Sequence, residues 1–148
     1  MLIATKGSKI DISSEKKTEE IAKKILSEII PGNVLFLYGE MGVGKTTFVK
    51  YLINGFQFKL KKKLTEVTSP TFNIMNEYEV NDLKIKHYDL YRLKSTEELN
   101  NLNLFEKNDK SILIIEWPQI IKKKPNSVIE LSFEYENDYQ DRFIKVLN

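Results

Sequence analysis

Gly39-Glu40-Met41-Gly42-Val43-Gly44-Lys45-Thr46 is the stretch that most restricts what this chain can fold into. Glycine takes backbone angles that a side chain forbids, so inward-turned N–H groups here can cradle phosphate oxygens. The flanks suit the same structure. Residues 33–38, Asn-Val-Leu-Phe-Leu-Tyr, are an apolar run between Pro31-Gly32 and the glycines, which reads as a buried strand. Beyond the loop, Phe48, Val49, Leu52 and Ile53 fall on a helical stripe. Strand, glycine-rich loop and helix in that order fit G-x-x-x-x-G-K-[ST], the phosphate-binding P-loop. The helix adds the positive end of its dipole at the same point. In such a loop Lys45 reaches the β- and γ-phosphates of a nucleotide and the Thr46 hydroxyl holds Mg²⁺.

The length of 148 residues suits one domain, 1–148, with room for a real core. Hydrophobic residues make up 41% and charged residues 30%, as in an ordinary soluble protein. No stretch approaches the ~20 apolar residues of a membrane span. Residues 1–12 lack the apolar core of a signal peptide. With no cysteine there is neither a disulfide framework nor thiolate chemistry. A cytoplasmic protein is the expectation. A net charge of +2 argues against an obligate nucleic-acid binder of the histone type. The positive charge is nearly all lysine; Arg92 and Arg142 are the only arginines.

Local patterns order the rest. Residues 9–14 suit an edge strand, and Ser13 or Ser14 can cap a helix carrying Ile21, Ala22, Ile25, Leu26, Ile29 and Ile30 on one face, up to Pro31-Gly32. The P-loop helix is expected to reach about Gly55. Residues 56–64, with Lys59, Lys61, Lys62 and Lys63, read as a solvated turn; the sharper alternative is an electrostatic contact for tRNA or an acidic partner. Pro70 bars a central strand position, so strand character is expected from Thr71. Residues 73–80 and 83–88 then form a hairpin about Asn81-Asp82. Ser95-Thr96-Glu97-Glu98 is a capping box, with Leu99, Leu102 and Phe105 as the face of the helix it starts. Ser-Ile-Leu-Ile-Ile-Glu at 111–116 reads as a buried parallel strand ending in a carboxylate. Residues 128–135 and 142–146 alternate about Asn137-Asp138 as a C-terminal hairpin. Together these predict an α/β fold: a P-loop NTPase-like three-layer sandwich whose mixed sheet has parallel core strands and antiparallel hairpins.

A P-loop alone binds nucleotide; hydrolysis also needs a metal held from a second side and a group that positions water. Glu116 ends its strand as a Walker-B acid does, and strand carboxyl ends are where open α/β sheets bind ligands. Asp89 sits where another strand gives way to a loop. Both carboxylates are candidates for the metal or the water. Thr71, in Ser-Pro-Thr, is placed to sense the γ-phosphate and Mg²⁺ as a switch residue. His87, the one histidine, reads as packed or hydrogen-bonding, without a second histidine for a metal site. Trp117 reads equally as core or as a lid over the nucleotide.

The set GEMGVGKTTFVK, TSPTFNIMNEYE, HYDLYRL and IIEWPQ, in this order and spacing, closely resembles the bacterial TsaE (YjeE) family over about residues 13–146. These are small P-loop ATPases required for making N6-threonylcarbamoyladenosine (t6A) in tRNA, at the adenosine beside the anticodon. The resemblance implies ATP and Mg²⁺ as cofactors. It implies that Gly39, Glu40, Met41, Gly42, Val43, Gly44, Lys45, Thr46 and Thr47 hold the phosphates. Thr46 and Glu116 would lie near Mg²⁺, with Asp89 essential for hydrolysis. Thr71 would belong to a switch-like segment. Ser14-Glu15 and Asp141-Arg142 would lie near the nucleotide base. The implied partners are the TsaD and TsaB proteins, with tRNA met directly or through their complex. Met41 and Val43 replace the common Leu and Ala, at positions that point away from the phosphates in most P-loops.

Three functions compete on the residues. The first is an ATPase serving a tRNA-modifying complex, slow without its partners or completed in cis by Arg92. The second is a small-molecule kinase, which usually needs several arginines and a lid. The third is a non-enzymatic, nucleotide-gated binding module, which would tolerate loss of Glu116 and Asp89. A GTPase lacks support, because no N-K-x-D base-reading segment is present.

Overall fold

The computed structural model describes residues 7–106 and 111–147. Residues 1–6, part of the stretch judged to lack a signal-peptide core, lie outside the described residues. In chain order the elements are β1 Lys9–Asp11, α1 Glu15–Leu26, β2 Val34–Tyr38, α2 Lys45–Lys59, β3 Met75–Val80, β4 Leu83–Asp89, α3 Thr96–Asn100, β5 Ser111–Glu116, a 3₁₀ turn Pro118–Ile120, β6 Val128–Glu136 and β7 Asp141–Val146.

Among the described residues, all seven strands join one sheet in the order β1-β7-β6-β2-β5-β4-β3. The inner four, β6, β2, β5 and β4, run parallel. Parallel strands are buried on both faces, which is why β2 and β5 are near-continuous apolar runs rather than alternating ones. Antiparallel pairs close the edges: β3 on β4, and β7 between β6 and β1. This is the mixed α/β sheet expected from the sequence.

Strand alternation sorts the core into two clusters. Leu35, Leu37, Ile85, Ile112, Ile114, Leu131 and Phe133 face α1 and α2. Phe36, Tyr88, Leu113, Ile115 and Val128 face a thinner layer built from Leu90, Leu104 and Ile121. Among the described residues no helix is long and apolar enough to cross a membrane.

Four local boundaries differ from the pattern-based expectation. First, α1 stops at Leu26, well before Pro31, because the Ser27 hydroxyl donates to the Lys24 carbonyl at 2.7 Å and turns the chain. Ile29 still reaches the core, whereas Ile30 is exposed. Second, α2 runs past Gly55 to Lys59, since the Gly55 position lets Leu26 approach the helix backbone. Third, strand character starts at Met75 rather than Thr71. The Ile74 N–H donates to the Pro70 carbonyl at 2.6 Å, and Ile74 takes a positive φ of 69°. Fourth, α3 is a single turn. Ser95 caps it by accepting from the Glu98 N–H, but none of its five residues is buried.

Candidate active site

The carboxyl ends of β2, β4 and β5 lie side by side, and α2 begins there. Glycine at position 39 is a steric requirement: φ is +144°, and a Cβ would stand 2.7 Å from the Phe133 carbonyl oxygen. Gly44 caps α2 in the left-handed region at φ 114°, with no side-chain cap over the amides of the first turn. The Tyr135 hydroxyl braces the loop by donating to the Gly42 carbonyl at 2.9 Å. Beside it opens a cleft of about 540 Å³.

Most of the residues singled out from the sequence meet in this cleft. Met41, Gly42, Gly44, Lys45, Thr46, Thr47, Thr71, Asp89, Glu116 and Arg142 line it. Lys45 is buried; its ammonium donates to the Gly39 carbonyl and lies 4.0 Å from the centre of the Trp117 ring. Burial pushes its pKa below the usual lysine value, and the Glu116 and Asp89 carboxylates pull it partly back. The Thr46 hydroxyl donates to Glu116 Oε2 at 3.3 Å. Asp89 and Glu116 are register partners at the ends of β4 and β5, both nearly fully buried.

Asp89 ties the Ser-Pro-Thr segment to the sheet. Its Oδ2 accepts from the hydroxyls of Thr71 at 3.0 Å and Ser69 at 3.2 Å, while Oδ1 accepts from the Tyr91 N–H at 3.0 Å. Trp117 takes φ 56° where β5 ends and packs on Tyr91 with ring centres 4.8 Å apart. It therefore lies at the cleft rather than wholly in the core. Phe72 and Tyr91 are exposed nearby.

Other singled-out residues lie elsewhere. Gly39 sits behind the cleft, against β6. Val43 is buried in the core, whereas Met41 has an exposed side chain at the edge of the cleft. Glu40 faces a separate depression beside the β6–β7 turn. Glu15 is not part of the lining. Its carboxylate accepts from the Tyr51 hydroxyl at 2.7 Å and stands 3.7 Å from Lys50 Nζ, and the first contact pushes the Tyr51 pKa up to about 12. Arg142 reaches the cleft beside Gly44, with its Nη2 donating to the Ser13 carbonyl at 3.5 Å. Arg92 stacks over Phe72, 5.1 Å from the ring centre, outside the lining.

Sequence reasoning passed over Ser69, Phe72 and Tyr135 as site residues. A signal existed for Ser69, whose hydroxyl flanks Pro70 two residues before Thr71. None existed for Tyr135, whose contact with Gly42 spans 93 residues.

The donor set fits Mg²⁺ and a nucleotide. Magnesium usually takes one or two carboxylates and leaves its other positions to phosphates and water. Thr46, Glu116 and Asp89 offer a hydroxyl and two carboxylates beside loop amides and a buried lysine, which suit phosphate oxygens.

Comparison with known proteins decides the family. The model of the family described as "Threonylcarbamoyl adenosine biosynthesis protein TsaE" matches residues 12–144. This chain belongs to the TsaE family. It is 37% identical to the tRNA threonylcarbamoyladenosine biosynthesis protein TsaE of Rickettsia bellii, covering 89% of this chain and 90% of that one. With the Rickettsia conorii protein of the same name it shares 38% over 75% of its own length. There it spans only 61% of the relative's length, and 63% for Rickettsia felis. The crystal structure of YdiB from Bacillus subtilis superposes with a TM-score of 0.70 at 27% identity, covering 95% of this chain and 84% of that one.

Proposed function

We propose that this chain, acting as one P-loop ATPase domain over 1–148, binds ATP with Mg²⁺ and hydrolyses it in support of tRNA threonylcarbamoylation. It acts in the cytoplasm with the TsaB and TsaD proteins, at the adenosine next to the anticodon. The family supports the place in t6A biosynthesis. The observation that carries the ATPase reading is the meeting of Lys45, Thr46, Thr71, Asp89 and Glu116 in one cleft.

The roles follow from chemistry. Loop amides and Lys45 bind the β- and γ-phosphates, and Lys45 offsets charge that spreads over the γ-phosphoryl oxygens during transfer. Thr46 and Glu116 would hold Mg²⁺, which would neutralise charge on the phosphates. Asp89 has its carboxylate fixed by Thr71 and Ser69 and orients the attacking water. Because Thr71 bonds to Asp89, a shift of the Ser-Pro-Thr segment is felt at the water position. Neither arginine is aimed at the carboxylates: Arg92 stacks on Phe72 and Arg142 bonds to Ser13. Turnover by the isolated chain is slow, and a partner supplies further charge stabilisation.

ATP turnover by the purified chain, alone and then with TsaB, TsaD and tRNA, tests this. Low turnover that rises with partners and is abolished by Lys45→Ala supports the reading. ATP binding without turnover in any mixture overturns it and leaves a nucleotide-gated binding module.

A further inference from the structure

Among the described residues, His87 is the one buried titratable group at the site that the roles above do not use. It is fully buried on β4, two residues before Asp89 and so on the same face of the sheet. Glu116 is the register partner of Asp89 on β5, so the imidazole lies one step deeper and reaches diagonally across to it. Its Nε2 and Glu116 Oε2 share a hydrogen bond of 2.6 Å, and among the described residues Nδ1 has no hydrogen-bond partner. An ionised carboxylate can only accept, so this hydrogen bond puts the ring proton on Nε2 and makes the imidazole a donor to Glu116.

The Thr46 hydroxyl donates to the same oxygen. Two donors, from the start of α2 and the middle of β4, thus converge on Oε2 of a carboxylate that lines the cleft. The Lys45 ammonium is close enough to feel both Glu116 and Asp89. An unrestrained Glu116 carboxylate, whose last torsion is broad, would not present a fixed oxygen to the cleft.

Resting on the ATPase reading, we propose that His87 is a positioning residue that pins Oε2 of Glu116 against the sheet and so presents Oε1 to the Mg²⁺ of bound ATP. Residues that orient a metal ligand in this way typically change metal affinity by about ten- to a hundredfold when removed.

The test uses the full chain with a non-hydrolysable ATP analogue and Mn²⁺ in place of Mg²⁺, with metal binding read by electron paramagnetic resonance. Three variants separate hydrogen bonding from packing. His87→Gln places an amide N–H near the Nε2 position. His87→Asn places its amide near Nδ1, out of reach of Glu116. His87→Leu removes the donor. The expected result is Mn²⁺ affinity near wild type for Gln and about ten- to a hundredfold weaker for Asn and Leu. Metal-free affinity for the analogue should be unchanged in all three, since Lys45 and the loop amides carry it.

Equal Mn²⁺ affinity in the wild type, Asn and Leu chains overturns the proposal. So does a loss as large for Gln as for Asn, or a chain that folds with neither amide, since His87 then serves packing. Should the Leu variant alone not fold, the Gln and Asn pair decides. A wild-type chain that binds no metal–nucleotide overturns the ATPase reading as well; wild-type binding with indifferent variants overturns only the role of His87.

Discussion

Gly39 shows what one residue controls. Its φ of +144° is a conformation that side chains rarely adopt, and an added Cβ would meet the Phe133 carbonyl oxygen at 2.7 Å and both Phe133 Cβ and Val43 Cγ1 at 3.0 Å. Backbone and buried core atoms cannot step aside as an exposed side chain can. Gly39→Ala is therefore expected to cost about 2–3 kcal/mol in urea unfolding. Met41→Ala, at an exposed side chain in the same loop, should stay within about 0.5 kcal/mol of wild type. The need for glycine was legible in the motif. The obstacle was not, because Phe133 comes from a strand 94 positions later in the chain. The same limit explains Glu15. Its place in the first turn of a capped helix was readable, but its engagement with Tyr51 depends on how α1 packs on α2.

At the scale of elements, β2 and β6 are joined beyond their backbone ladder by a side-chain cluster. Glu130 accepts from the Tyr38 hydroxyl at 2.6 Å and from Lys124 Nζ at 2.8 Å. Burial pushes the Glu130 carboxyl up, but the hydrogen bonds from Lys124 and Tyr38 outweigh it and leave the pKa below the ordinary 4.5. The sign follows by linkage. The unfolded chain takes up the proton first as pH falls, so the contribution is complete above about pH 4.5 and is lost as pH drops through the lower folded value. Thermal melts of wild type and Glu130→Gln should differ in favour of wild type at pH 7, by about 1 kcal/mol. The gap should close as pH falls below 4.5; a gap constant down to acid pH would show that the charge contributes nothing. β2 and β5 were legible because a buried parallel strand needs an unbroken apolar run, and α2 because its apolar residues recur on one helical face. Element ends were less so: a single Ser27 hydroxyl stops α1 and a Pro70 turn delays β3, and neither leaves a periodic trace.

For the whole molecule, the cleft draws on the glycine-rich loop, α2, β4, β5, β7 and the Ser-Pro-Thr segment, so a ligand that bridges them should stabilise the fold by mass action. At a hundred times its Kd, Mg²⁺–ATP is expected to add about 2.7 kcal/mol and raise Tm by roughly 5–10 °C. Lys45→Ala should abolish the rise with little change in the Tm of the ligand-free chain. A rise retained in that variant would mean that nucleotide binds elsewhere.

Local information was enough for the phosphate-binding loop, the strand and helix around it, the hairpin turns at Asn81-Asp82 and Asn137-Asp138, and the serine caps of α1 and α3. Each is written in residues within a few positions of one another, through their φ demands, their apolar period or a hydroxyl in reach of a nearby amide. Asp89 and Glu116 were legible from their places at strand ends, and motif order added the family. The assembled sheet alone decided which groups touch: Thr71 with Asp89 across 18 residues, His87 with Glu116 across 29, Thr46 with Glu116 across 70. Those meetings follow from strand order and register, which are settled by the burial of two faces at once. No short stretch of sequence carries that information.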